Sequence, residues 1–189
     1  MYQILLAGVG GQGTVLASKI LACAAMQRGE GAHTAETIGM AQRGGSVVSH
    51  VRLGDDVFSP LIPKGTADVI IGFEPAEAVR ALTYLKPNGA VLTNSMPVRP
   101  ASDAFAKTPY DPQGVLETLK AQPITLQVID GAKLLAQISP KSLNIALLGA
   151  AASAGFLPFT LDELGEAVKQ MVKPKFHEMN LRALRASLA

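Results

Sequence analysis

The chain contains a single cysteine, Cys23, and no tryptophan in 189 residues. One thiol cannot close an internal disulfide, so the chain suits a reducing compartment. Nor can it hold an iron–sulfur cluster, which needs several thiolates. Cys23 falls in an Ala/Leu/Ile-rich stretch and reads as a small buried hydrophobe. Aromatic residues make up 5% and charged residues 17%, so the core must be aliphatic. The formal net charge of +2 comes without the clustered basic stripe that marks nucleic-acid binding. Arg182 and Arg185 read as a solvated helix face. The apolar stretches at 4–9 and 145–157 fall short of the ~20 residues of a membrane span. The start lacks a basic segment followed by a cleavable apolar stretch. The expectation is a cytoplasmic protein that engages neither nucleic acid nor membrane.

What is present is an aliphatic globular chain, 48% hydrophobic. An apolar run at 4–7 leads directly into Gly8-Val9-Gly10-Gly11-Gln12-Gly13, and a helix-forming stretch follows. That order is strand, tight turn and helix, with backbone N–H groups at the positive helix end where an anion can sit. The helix at 14–26 is apolar nearly all round, which predicts burial on more than one side, between its own sheet and a partner subunit. Strands are predicted at 1–7, 32–38, 46–53, 68–73, 90–94 and 124–129, and helices at 75–85 and 115–121. Gly54-Asp55-Asp56 reads as a turn that folds Val57 and Phe58 back as a short hairpin arm. Residues 97–113, with four prolines, read as a loop, and Pro87-Asn88-Gly89 as a turn. The last sixty residues read as helices with two apolar stripes, Leu161, Leu164, Val168, Met171 and then Leu181, Leu184, Leu188. The fold class is α/β: a Rossmann-like three-layer fold with a mostly parallel, mixed sheet, a β-hairpin insertion and C-terminal helices. A single domain over 1–189 is the economical reading.

In an open α/β sheet, ligands sit beyond the carboxyl ends of the parallel strands. The predicted strands deliver the glycine loop, Glu74, Asn94, Ser95 and Asp130 to that edge. Helix capping is an equally good account of the last four. A dinucleotide site also needs an acidic residue about twenty positions beyond the glycines. Glu36 is near that position, yet Gly39 to Gly45 is not the usual crossover into a second helix. Its Gly44-Gly45 pair reads as a close-approach loop, and Arg43 as a planar fork for an anionic group or a partner. His33, His50 and His177 have no metal-ligand spacing, and no nucleophile elbow or P-loop lysine is present. The pattern is that of a binding or covering domain whose reactive groups are supplied elsewhere.

Four segments together carry a family resemblance: the glycine loop, the fourteen residues from Gly39 to Arg52 that begin Gly-Met-Ala-Gln-Arg-Gly-Gly, Ser59-Pro60-Leu61-Ile62-Pro63, and 67–80 with Gly72-Phe73-Glu74-Pro75-Ala76-Glu77-Ala78. They resemble the gamma-type subunit or domain of 2-oxoacid:ferredoxin oxidoreductases, in the version found in the beta subunit of indolepyruvate ferredoxin oxidoreductases. The match is dense over about residues 1–95. Asn144, Gly149, Glu178 and Asn180 suit the family's C-terminal helices. The resemblance implies oxidative decarboxylation of an aryl 2-oxoacid, acylation of coenzyme A and transfer of electrons to ferredoxin. It places thiamine diphosphate and the iron–sulfur clusters on a larger partner subunit, with no cofactor or metal held by this chain alone. It makes Gly8, Gly10, Gly11, Gln12, Gly13, Arg43, Gly44 and Gly45 the candidate contacts to coenzyme A or to the partner active site. Two other functions stay open at this point: a stand-alone NAD(P)-dependent oxidoreductase, and a non-catalytic assembly subunit.

Overall fold

A computed structural model describes residues 1–38, 45–98 and 110–188. Six strands form one sheet: β1 (Tyr2–Val9), β2 (Ala32–Ile38), β3 (Ser46–Leu53), β4 (Ala67–Gly72), β5 (Leu85–Asn94) and β6 (Thr125–Ile129). Their spatial order is β2-β3-β1-β4-β5-β6. The right-hand part, β1-β4-β5-β6, is parallel throughout. The strand β3 runs antiparallel to both neighbours, β1 and β2. The expected α/β fold with a mixed, mostly parallel sheet is thus observed.

The burial of β1 explains its run of apolar residues. Successive side chains point to opposite faces. Ile4 and Leu6 enter the core on one face, Leu5 and Ala7 the core on the other. Covered on both sides, the strand needs no polar alternation.

On the first face lie α1 (Thr14–Gln27) and α5 (Leu143–Ser153); on the second lie α2 (Pro75–Ala81) and α3 (Pro112–Lys120). A single short turn, α4 (Gly131–Leu134), follows β6. Two further helices, α6 (Leu161–Met171) and α7 (His177–Arg185), pack outside α1 and α5. Burial of α1 on several sides is as expected, and α6 of the same chain supplies cover on its outer side. The stripe Leu161–Leu164–Val168 supplies that cover: Leu164 and Val168 are fully buried, whereas Met171 is left 41% exposed. Helix α5 carries no polar face because α7 closes it from outside. At their crossing, a Cβ on Gly149 would lie 1.9 Å from the Leu184 carbonyl oxygen, so only glycine fits.

The hairpin insertion is present but not where the turn chemistry placed it. It consists of β2 and β3, joined through 39–45. Val57 and Phe58 form no strand. The reason is that β3 is paired on both edges, so a returning arm has no free edge. Residues 54–66 are held instead by backbone bonds from Gly54 to Gly31 and Gly65 to Thr83 and by side chains between them. Arg52 donates to the carbonyls of Ser59 and Leu61, and the Ile62 amide donates to His50 Nδ1. Similarly, Pro87-Asn88-Gly89 interrupts β5 and does not precede it. Between Ala67↔Leu85 and Val69↔Ala90, β4 advances two residues and β5 five, with Asn88 at φ 60°.

Candidate functional site

The glycine loop leaves β1 at Val9 and enters α1 at Thr14. The Gln12 amide closes the turn on the Val9 carbonyl at 3.1 Å. Gly11 and Gly13 sit at φ 100° and 82°, a region that side-chain-bearing residues avoid. Gly13 caps α1 with no side-chain hydrogen bond, and the first turn of α1 contains no acidic residue. The positive end of this fourteen-residue helix is therefore not neutralised by its own sequence. The loop also meets the second glycine segment: Gly10 N–H donates to the Gly45 carbonyl at 2.9 Å. Residues thirty-five positions apart in the chain are thereby joined at one edge of the sheet. Arg43 and Gly44 lie outside the described residues.

Three side-chain amides fix the surroundings. Gln12 accepts from the Val9 amide through Oε1 at 2.7 Å and donates from Nε2 to the Phe73 carbonyl at 3.2 Å. Asn94 donates to that same carbonyl at 3.3 Å and accepts from the Gly131 amide at 3.1 Å. Asn144, at the start of α5, donates to the Gly13 carbonyl at 3.2 Å. Gly8 leaves room for this arrangement, since a Cβ there would come within 2.8 Å of Gln12 Oε1. Beside these amides lies a cavity of about 360 Å³. Its walls include Met96, Val98, Leu135, Ile138 and Leu143, and among the described residues its polar side chains are Gln12 and Asn94.

The carboxylates at this edge have structural work. Asp130 caps α4 by accepting from the Lys133 amide at 3.0 Å. Glu74, 1% exposed, caps α2 through the Glu77 amide at 3.0 Å and accepts from the Tyr110 hydroxyl. Burial and the Glu74 carboxylate together push the Tyr110 phenol well above its ordinary range. Glu77, also buried, accepts from Ser46 at 2.6 Å and from Arg80. Ser95 contributes its backbone amide to the Ile129 carbonyl.

Among the described residues, the geometry does not assemble a nicotinamide site. Glu36 is on β2, and β3 separates β2 from β1. Two strand spacings put it about 10 Å across the sheet from the glycine strand. There Glu36 accepts from Ser18 at 3.1 Å. The histidines are dispersed: His33 is exposed on the edge strand, His50 is buried behind Ile62, and His177 bonds the Val172 carbonyl. Burial pulls His50 below its ordinary value.

The cavity wall was not anticipated from the sequence. Met96 to Val98 falls at the start of a proline-rich stretch with no periodicity, and α4 is one turn long. The available signals were the apolar Met-Pro-Val directly after a buried strand and a glycine directly after Asp130.

Comparison with known proteins adds a lineage. Residues 3–189 match the family model described as pyruvate ferredoxin/flavodoxin oxidoreductase. The chain is 41% identical over 187 residues to the indolepyruvate oxidoreductase subunit IorB of Archaeoglobus fulgidus, covering 97% of this chain and 92% of that one. Its fold is similar to that of the gamma subunit of a keto/oxoacid ferredoxin oxidoreductase from Geobacter sulfurreducens, with a TM-score of 0.70 at 23% identity over 100% and 99% of the two chains. It is also similar to part of 2-oxoglutarate:ferredoxin oxidoreductase from Magnetococcus marinus, solved with 2-oxoglutarate, coenzyme A and succinyl-CoA bound. The TM-score there is 0.70 at 20% identity, over 98% of this chain and 29% of that one.

Proposed function

The chain belongs to the pyruvate ferredoxin/flavodoxin oxidoreductase family, and from that premise we propose that it is the small, gamma-type subunit of an indolepyruvate-type ferredoxin oxidoreductase that closes the coenzyme A side of the active site. The complex decarboxylates an aryl 2-oxoacid oxidatively, forms the acyl-CoA and passes electrons to ferredoxin. Thiamine diphosphate and the iron–sulfur clusters are held by the larger subunit. There the thiamine supplies the decarboxylating chemistry. This chain binds and orients, and excludes water at one wall.

The observation that carries this reading is the joining of the two glycine segments. Gly10 N–H to Gly45 brings the foot of the Arg43 loop against the uncapped end of α1, beside an apolar cavity. A helix end and backbone N–H groups favour phosphate. The apolar cavity suits the uncharged parts of a thiol-bearing nucleotide carrier. The edge offers no free nucleophile–base pair among the described residues: Glu74, Glu77 and Asp130 are engaged as caps and anchors. The stand-alone NAD(P) reading loses support because β3 displaces Glu36 from the glycine loop.

Co-expression with the larger subunit tests the reading. The two chains should purify together, with thiamine diphosphate and iron–sulfur absorbance in the complex. Arg43→Ala should leave the assembly intact and raise the apparent KM for coenzyme A about tenfold, the scale of one charge-assisted contact. Failure of the two chains to associate, or unchanged turnover across coenzyme A concentrations in the variant, would count against it.

A further inference from the structure

Among the described residues, the two polar side chains lining the cavity are each hydrogen-bonded through both oxygen and nitrogen. Gln12 spends its oxygen on the Val9 amide and a nitrogen proton on Phe73; Asn94 spends its oxygen on the Gly131 amide and a nitrogen proton on the same Phe73 carbonyl. A carbonyl oxygen offers two acceptor sites. Here two side chains from opposite walls use one carbonyl. The resulting line runs from α4 through Asn94, Phe73 and Gln12 to the end of β1. It crosses three parallel strand ends, β1, β4 and β5. Phe73 is itself fixed, since its amide donates to the Ala7 carbonyl at 2.8 Å and its side chain is fully buried. Asn94 is 1% exposed, so its bonds are not exchangeable with water at low cost. Leucine or methionine would fill the same volume but would orphan the Val9 and Gly131 amides and the Phe73 carbonyl, so the two amides tie three backbone positions together.

We propose that Gln12 and Asn94 are positioning residues, which set the width of the cavity between the glycine loop and α4 through the Phe73 carbonyl they share. The proposal rests on the reading of this edge as the coenzyme A side. The brace touches neither electrons nor the decarboxylating centre. Its effect is confined to how well the walls fit the molecule between them. Loss of either donor frees Phe73 from one wall and lets that wall relax.

The test uses the reconstituted complex with its larger subunit. The wild type should saturate with coenzyme A. Gln12→Met removes both Gln12 bonds while keeping its volume. Asn94→Leu removes both Asn94 bonds while keeping nearly the same side-chain shape. Each should raise KM for coenzyme A about fivefold, the scale of one neutral hydrogen bond. KM for the 2-oxoacid and kcat should stay at wild-type values. The double variant should fall short of the product of the two single effects, because both act through one carbonyl. If Gln12→Met fails to assemble, Gln12→Glu serves, since it keeps the length and the Val9 acceptor but cannot donate as a carboxylate. Wild-type turnover that does not respond to coenzyme A would overturn the reading of the site. A saturable wild type whose variants lose only thermal stability, or shift both KM values alike, would overturn the brace.

Discussion

At the scale of single residues, the clearest electrostatic contact joins two helix ends. Arg28, just beyond α1, donates to both carboxylate oxygens of Glu163 in α6, at 2.6 and 2.9 Å. It also stacks over Phe159 at 5.0 Å. Arg28, with the Thr160 cap bonds, holds the Glu163 carboxyl down at about 2. The folded-state value is below the unfolded one, so this contribution is complete above the ordinary carboxylate range and is lost as pH falls towards 2. Glu163→Gln should lower stability by about 1 kcal/mol at neutral pH, since the pair is partly exposed and screened. Urea unfolding of variant and parent should show the difference shrinking as pH falls from 5 to 2. His50 acts in a higher window. Neutral imidazole accepts from Ile62 N–H, and burial depresses its protonation. Its contribution is full above about 6.5 and declines as pH drops through the lower folded value. His50→Gln should flatten the stability profile between pH 6.5 and 5, read by thermal unfolding. A profile unchanged by the substitution would assign that dependence to other groups.

At the scale of elements, α5 and α7 give a case where two effects oppose. Alanine in place of a mid-helix glycine ordinarily stabilises by about 1 kcal/mol. At Gly149 the added methyl meets a backbone carbonyl at 1.9 Å, and α7 would have to move. Overpacking of this kind costs about 1–3 kcal/mol, so the net sign reverses. Gly149→Ala should therefore lower the melting temperature, whereas Gly155→Ala tests φ alone, because nothing lies within 4 Å of that position. The elements also separate what was legible in the sequence from what was not. The bounds of β2 and β3 match the strands read at 32–38 and 46–53, and α1 runs one residue past the all-round apolar helix read at 14–26. The place of β3 between β1 and β2 was not readable, because strand order is a long-range choice that leaves no local mark. The same fact removed the expected arm at Val57 and Phe58. At the site, the glycine turn was legible from its spacing. The work of the flanking polar residues was not: Asp130 caps, Asn94 braces, and Glu74 both caps and receives Tyr110. A polar residue at a strand end can serve any of these roles, and its place in the sequence does not say which.

At the scale of the whole molecule, chemistry and architecture are divided. The chain has a complete aliphatic core on both faces of its sheet, yet the edge that should hold a ligand presents backbone N–H groups, committed amides and apolar walls. No helix among the described residues is long and apolar enough to cross a membrane. The chain is a subunit of a multi-subunit oxidoreductase, and its isolated form should bind without turning over. Titrating this chain into a fixed amount of the larger subunit, and following coenzyme A-dependent reduction of ferredoxin by an aryl 2-oxoacid, tests that claim most directly. Activity should be absent with either chain alone and should rise to a plateau at equimolar ratio. A larger subunit that reaches the same plateau unaided, or an isolated small chain that reduces NAD with a 2-oxoacid, would contradict it.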